Sequence, residues 1–419
     1  MNAGDLAALA LAQTHLARIA STDAAVRAWA HLDPERVLAR AERCDAVTPD
    51  RRGPLHGIGV GVKDIIATTS MPTEMGSPIY AGHHPPFDAE CVARLSRAGG
   101  YVLGKTATTE FAYFHPGRTT NPWNPRHTPG GSSSGSAAAV AAGHVLCAIG
   151  TQTNGSVIRP AAYCGVVGFK PTKDAIPLDG VHIFSATLDQ VGTFARDVAG
   201  AALLASTLAD SARIAATMAP RARPPRIGYL ARYPWTTIDG VAADILAAAV
   251  TRLTVQGADV MAVDVPAGWR DANLVHRTIM MHEGATALGE LQHRERHRMS
   301  DELNAALDEG AAISRADYDN AMHRRVEAIA ALAQWLSGFD ALISPPASGA
   351  APEGLDATGD PACCTLWSLV GFPALTIPIG LAGNGLPLGM QIVAPAGADD
   401  RLLGVAAWCE ERLPFTGLG

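Results

Sequence analysis

An α/β fold built on one large mixed β-sheet, covered by helices on both faces, is the architecture this sequence predicts. Short runs rich in Gly, Val and Ile alternate with helical patterns along the chain, as expected of a sheet layered with helices. Several helical segments consist of Ala, Gly and Ser, small enough to approach a sheet closely. With 419 residues, 48% hydrophobic and 17% charged, the chain can bury a large core, and its composition argues against disorder.

The first 46 residues carry two helical patterns, one through Leu6, Leu9, Leu11 and Leu16, the other through Val26, Trp29, Leu32, Val37 and Leu38. His56 to Asp64 reads as a strand, Asp88 to Arg97 as a helix with an acidic start, and Tyr101 to Lys105 as a strand. A small-residue helix over Ser134–Ala142 and a strand over His144–Thr151 follow. Ala199 to Ala222 is Ala-rich and helical, Arg226–Leu230 a strand and Val241–Leu253 a helix. Long amphipathic helices fill 270–339, the expected substrate wall. Strands at 341–344, 374–379 and 388–393 and a helix over Asp399–Arg412 complete the chain, with no repeat and no visible domain boundary. The whole of 1–419 is therefore expected to be one domain, its core in 50–200.

Forty acidic against 33 basic residues give a net charge of −7. The longest basic cluster, Arg221 to Arg226, holds three arginines and two prolines, so no nucleic-acid partner is expected. Asp5 near the start, without a basic and apolar run, argues against a signal peptide. Residues 128–158 hold no Asp, Glu, Lys or Arg, but their Gly, Ser, Thr, Gln and Asn would be unsatisfied in hydrocarbon, so no membrane span is expected. Cysteines 44, 91, 147, 164, 363, 364 and 409 form no CxxC pair and read as buried apolar residues in a reducing cytoplasm.

Three glycine-punctuated segments stand out. In HGIGVGVKD (56–64), Lys63 ends an apolar strand, where burial disfavours an ammonium and leaves a base near neutral pH. An ion pair with Asp64 is the plain structural alternative. PGGSSSGSAAAVAAG (129–143) places serines behind two glycines. GTQTNGSVIRPAAYCGVVGFKPT (150–172) sets Ser156 on an Asn-Gly turn whose backbone N–H groups converge on one point, suited to a developing oxyanion. Taken singly, each serine reads as a cap or turn residue.

In order and spacing, these segments resemble the amidase signature family. The matching positions are Lys63–Asp64, Gly130–Ser133, Gly155–Ser156, Pro160–Ala161, Cys164–Gly165 and Gly168–Thr172. The resemblance extends through 104–114, 185–196 and 371–393. It implies an amide-cleaving hydrolase in which Ser156 is the nucleophile and Ser132 and neutral Lys63 relay its proton. It also implies an oxyanion hole from Thr153, Asn154, Gly155 and Ser156, a cis bond before Ser132, and no metal or other cofactor. Tyr113, Gly131 and Ser133 become candidate substrate contacts, with the acyl side near 363–372. Gln152, Asn154 and Ser134 stand where the family often has Asp, Gly and Gly. Asn154 tolerates left-handed backbone.

Other readings compete. Gly131-Ser132-Ser133-Ser134-Gly135 fits a nucleophile elbow centred on Ser133, but NPRHTPGG before it is a loop where an elbow needs a strand. His293 and His297 have metal-binding spacing among charged neighbours, without a third ligand. Cys164 reads as packing, and Arg277, His282 and Glu283 as candidate polar contacts or plain helix surface. The expected substrate is a small soluble amide or urea-like compound, the only partner foreseen; a homodimer is left open. Two alternatives stand beside it: the glutaminase subunit of a tRNA-dependent amidotransferase, which needs companion proteins, and a non-catalytic binding protein on the same fold.

Overall fold

Eleven strands form one mixed sheet across the described residues, 7–209, 214 and 223–418 of a computed structural model. In chain order the strands are β1 (Trp29–Leu32), β2 (Gly59–Lys63), β3 (Tyr101–Thr106), β4 (Cys147–Gln152), β5 (Val167–Lys170), β6 (Gln190–Ala195), β7 (Arg226–Tyr229), β8 (Asp259–Ala262), β9 (Ala341–Ser344), β10 (Ala374–Leu381) and β11 (Pro387–Val393). Their order across the sheet is β1-β3-β2-β4-β6-β5-β10-β11-β9-β7-β8. β2 lies parallel to both β3 and β4, while β4, β6, β5, β10, β11 and β9 pair antiparallel in succession.

Among the described residues, twelve α-helices accompany the sheet. The small-residue helix α4 (Ser134–Ala141) is buried along its whole length and contacts β2, β3, β4 and β6. α6 (Val198–Ala209) and α12 (Asp399–Arg412) pack in the other large apolar cluster, with Leu204, Leu208, Leu402 and Val405 inside it. The predicted helix over 199–222 is seen to Ala209; 210–213 and 215–222 lie outside the described residues.

The N-terminal reading needs correction. Trp29 and Leu32 do not continue a helix: α1 (Ala8–Val26) ends on Arg27 with φ +55°, and β1 follows at the sheet edge. α2 (Pro34–Asp45) then starts afresh, with Asp33 accepting a hydrogen bond from Arg36 N and Pro34 in the first turn. Strands β5, β6 and β8 were also not evident from residue patterns, and β5 and β6 are wholly buried.

The region between β8 and β9 is helical, as its amphipathic patterns predict: α8 (Ala272–Glu295), α9 (Asp301–Ala312) and α10 (Arg315–Leu336). Ser300 and Ser314 cap the last two. α9 lies tight against α8, since a Cβ on Gly310 would stand 2.0 Å from the Met281 carbonyl oxygen. Gly310→Ala is therefore expected to cost about 1–3 kcal/mol, read as a lower urea midpoint at unchanged slope. No helix among the described residues is long and apolar enough to cross a membrane.

Candidate active site

Three chain segments meet at Lys63. β2 ends on it between two parallel neighbours, and the side chain has no solvent exposure. Its Nζ lies 2.7 Å from Ser132 Oγ and 2.8 Å from Thr151 Oγ1 on β4. Burial pulls the amine down to about 7, opposed by the Asp189 carboxylate, so much of it is free base near neutral pH. The Gly131–Ser132 peptide bond is cis.

Ser132 and Ser156 line one narrow cleft, together with Tyr113, Phe184, Met280 and Arg159. Tyr113 stacks on Phe184 at 5.2 Å. Ser133 does not line this cleft: fully buried, it donates to Thr151 O at 3.0 Å and accepts from Thr151 N at 3.2 Å. It also follows a loop rather than a strand, so the elbow reading fails. Gly131 contributes its carbonyl to Arg159 Nη2 at 2.7 Å.

The turn 153–156 is held from three sides. Gln152 Oε1 accepts from Val157 N at 2.8 Å and Ile158 N at 3.0 Å, and its Nε2 donates to Ser368 Oγ at 3.0 Å. A neutral amide thus braces the start of α5 (Ile158–Cys164) where a carboxylate was the family expectation. Asn154 takes no left-handed backbone; its Oδ1 accepts from Thr365 at 2.9 Å and its carbonyl from Ser368. Thr153 Oγ1 donates to Asp189 at 2.5 Å, and its carbonyl meets His276 Nε2 at 3.1 Å. Among the described residues, none accepts a hydrogen bond from the N–H groups of Asn154, Gly155 or Ser156, which leaves them available at the cleft.

Asp189 also accepts from the N–H groups of Phe184 and Ser185, and burial still pushes it up to about 6. His276 is buried, which pulls it down to about 4 and favours the neutral ring. Arg159 is wholly buried; Nε and Nη2 bond Thr358 and Gly131, while Nη1 has no hydrogen-bond partner among the described residues. Sequence reasoning missed Thr151, Arg159, Asp189 and His276. Arg159 and Asp189 lay inside segments already singled out, whereas nothing local marks His276.

The candidate polar contacts of the wall go elsewhere. Arg277 pairs with Glu309, Glu283 accepts from Ser185, Thr187 and Tyr318, and His282 stacks on Tyr318. His293 and His297 are exposed, and the helix ends between them at Glu295. Cys164 is buried, which pushes its thiol well above the ordinary range.

Residues 10–403 match the family model described as Amidase. The chain is 35% identical to the A subunit of the glutamyl-tRNA(Gln) amidotransferase of Salinispora arenicola, over 99% of this chain and 96% of that protein. It resembles the native peptide amidase of Stenotrophomonas maltophilia (TM-score 0.83, 31% identity, 98% and 94% coverage). It also resembles the A subunit of the Thermotoga maritima glutamyl-tRNA(Gln) amidotransferase (TM-score 0.81, 28% identity, 98% and 92% coverage). These relatives overturn the expectation of a small molecule as the only partner and of no nucleic acid. Several are by name subunits of an enzyme acting on glutamyl-tRNA, so charge clustering along the chain was the wrong criterion. By its match along most of its length, the chain belongs to the amidase family and is an amide-hydrolysing enzyme.

Proposed function

We propose that Ser156 cleaves a primary amide through an acyl-enzyme, and that this chain does so as the glutamine-hydrolysing subunit of a tRNA-dependent amidotransferase. The observation behind the chemistry is the buried 2.7 Å contact between Lys63 Nζ and Ser132 Oγ beside the cleft that Ser156 shares. Lys63 takes the proton of Ser132 as Ser132 takes that of Ser156, and Ser156 Oγ bonds to the amide carbon. N–H groups of the 153–156 turn hold the oxyanion. Ser132 returns a proton to the leaving nitrogen, ammonia departs, and water releases the acid. Identity of 33–35% to the A subunits of such amidotransferases across 93–99% of the chain supports the assembly reading. The reducing surroundings such a complex would meet in the cytoplasm suit Cys44, Cys91, Cys147, Cys164, Cys363 and Cys364, none of them bridged.

A second reading, a stand-alone amidase for a small soluble amide, is favoured by the cleft lining. It contains no carboxylate to meet the α-ammonium of glutamine, but it does contain Arg159 with its spare Nη1, suited to a carboxylate or carbonyl on the acyl group. Ammonia release by the purified chain, with glutamine and with short dicarboxylic acid monoamides, separates the two. The assembly reading expects weak glutaminase activity alone and strong stimulation by companion subunits with glutamyl-tRNA. Fast turnover of a monoamide without partners would replace it with the second reading.

A further inference from the structure

Behind the active-site lysine, on the residue that follows it, a second cluster of donors converges. Asp64 is almost fully buried; its Oδ2 accepts from Glu74 N at 3.2 Å, while Oδ1 takes no hydrogen bond. Glu74 gives one oxygen, Oε1, to Gly82 N at 2.7 Å, and its Oε2 stands 3.0 Å from His31 Nε2. His31 Nε2 is itself buried and without a hydrogen bond of acceptable geometry. One donor atom from each of the three residues lies within 4.8 Å of the other two. Each carboxylate thus spends one oxygen on the backbone and turns the other toward the same imidazole.

Lys105 is the cation already present, 3.6 Å from Asp64 Oδ1. Its hydrogens go elsewhere, to Ile66 O and Thr73 Oγ1 at 2.6 Å each and to Thr68 Oγ1 at 3.4 Å. One amino group therefore stands beside two carboxylates and an imidazole. We propose that His31, Asp64 and Glu74 form a binding site for one divalent transition-metal ion of the zinc or manganese class. One imidazole and two carboxylates select these over calcium or magnesium, which prefer all-oxygen cages. Ligands around such an ion stand about 3–3.5 Å apart, given bonds of about 2.0–2.2 Å. His31 and Glu74 are partly exposed, whereas Asp64 is buried. The ion would tie edge strand β1 and the segment after β2 to the backbone that carries Lys63. This site is independent of the substrate assignment above.

Chelator-treated protein, titrated calorimetrically with zinc and manganese chloride, tests the proposal. The wild type is expected to bind one equivalent and to melt at a higher temperature with metal. His31→Gln and Glu74→Gln are expected to weaken binding at least tenfold, while a His293→Ala/His297→Ala variant keeps it. Absence of saturable binding, or binding that survives both cage variants, overturns the site. Should a variant fail to fold by circular dichroism, the visible spectrum of the cobalt-loaded wild type decides. Bands of a mixed nitrogen and oxygen site support the proposal, and those of an all-oxygen or thiolate site refute it.

Discussion

Ser156→Ala is expected to lower kcat for any accepted amide by at least about a thousandfold, the loss typical of removing a serine nucleophile. The same substitution should abolish the single mass increment left by a fluorophosphonate on the wild type. Stability should change little, because Ser156 sits at the cleft and its neighbours are held by Gln152, Thr365 and Ser368 rather than by its own hydroxyl. An adduct that persists in the variant would move the nucleophile to another residue. Cys164 is a poor substitute, since burial keeps its thiol protonated.

Lys63→Met should cost about 10²–10⁴-fold in kcat, the usual contribution of a positioned base. Its more telling effect is on pH. The amine is pulled down to about 7 by burial, and only the free base accepts a proton, so wild-type kcat/KM should rise tenfold per pH unit below about 7 and flatten above it. The variant should lose that limb. A wild-type profile already flat from pH 6 to 9, with chemistry limiting, would remove Lys63 from the relay. Stability follows the same group. Its folded value lies below the roughly 10.4 of an unfolded lysine, so between these values the unfolded chain holds more protons. The contribution of Lys63 is complete above about pH 10 and is lost as pH falls through about 7. Denaturant midpoints across that window should climb less steeply in Lys63→Met than in the wild type.

Much of the site was legible because its chemistry is written locally. A lysine closing a Gly-Val strand, serines behind paired glycines and a serine on an Asn-Gly turn are adjacent-residue patterns, and the fold sets Lys63 on Ser132 and Ser132 with Ser156 at one cleft. The bracing was not legible for the same reason. Thr151 reaches Lys63 from the neighbouring strand β4, Asp189 reaches Thr153 from just before β6, and His276 arrives from a helix 123 residues away. Such contacts follow from strand order rather than residue pattern. In the fold, short apolar runs located β2, β3, β4, β7, β9, β10 and β11, whereas β5, only four residues long, and β6, opened by Gln190 and interrupted by Thr193, do not stand out as such runs. Trp29 and Leu32 kept a helical spacing by chance, and the Asp33-Pro34 start of α2 broke it.

The wall is encoded as one uninterrupted stretch between β8 and β9, whereas Lys63, Ser132 and Ser156 all precede it. It can therefore be exchanged as a cassette without altering those three residues. His276 sets the condition of exchange: any replacement must still present a buried donor to the Thr153 carbonyl, or the turn behind Ser156 loses its outer support. New specificities on this scaffold should accordingly begin at Met280, the residue of this stretch that lines the cleft, while His276 is kept.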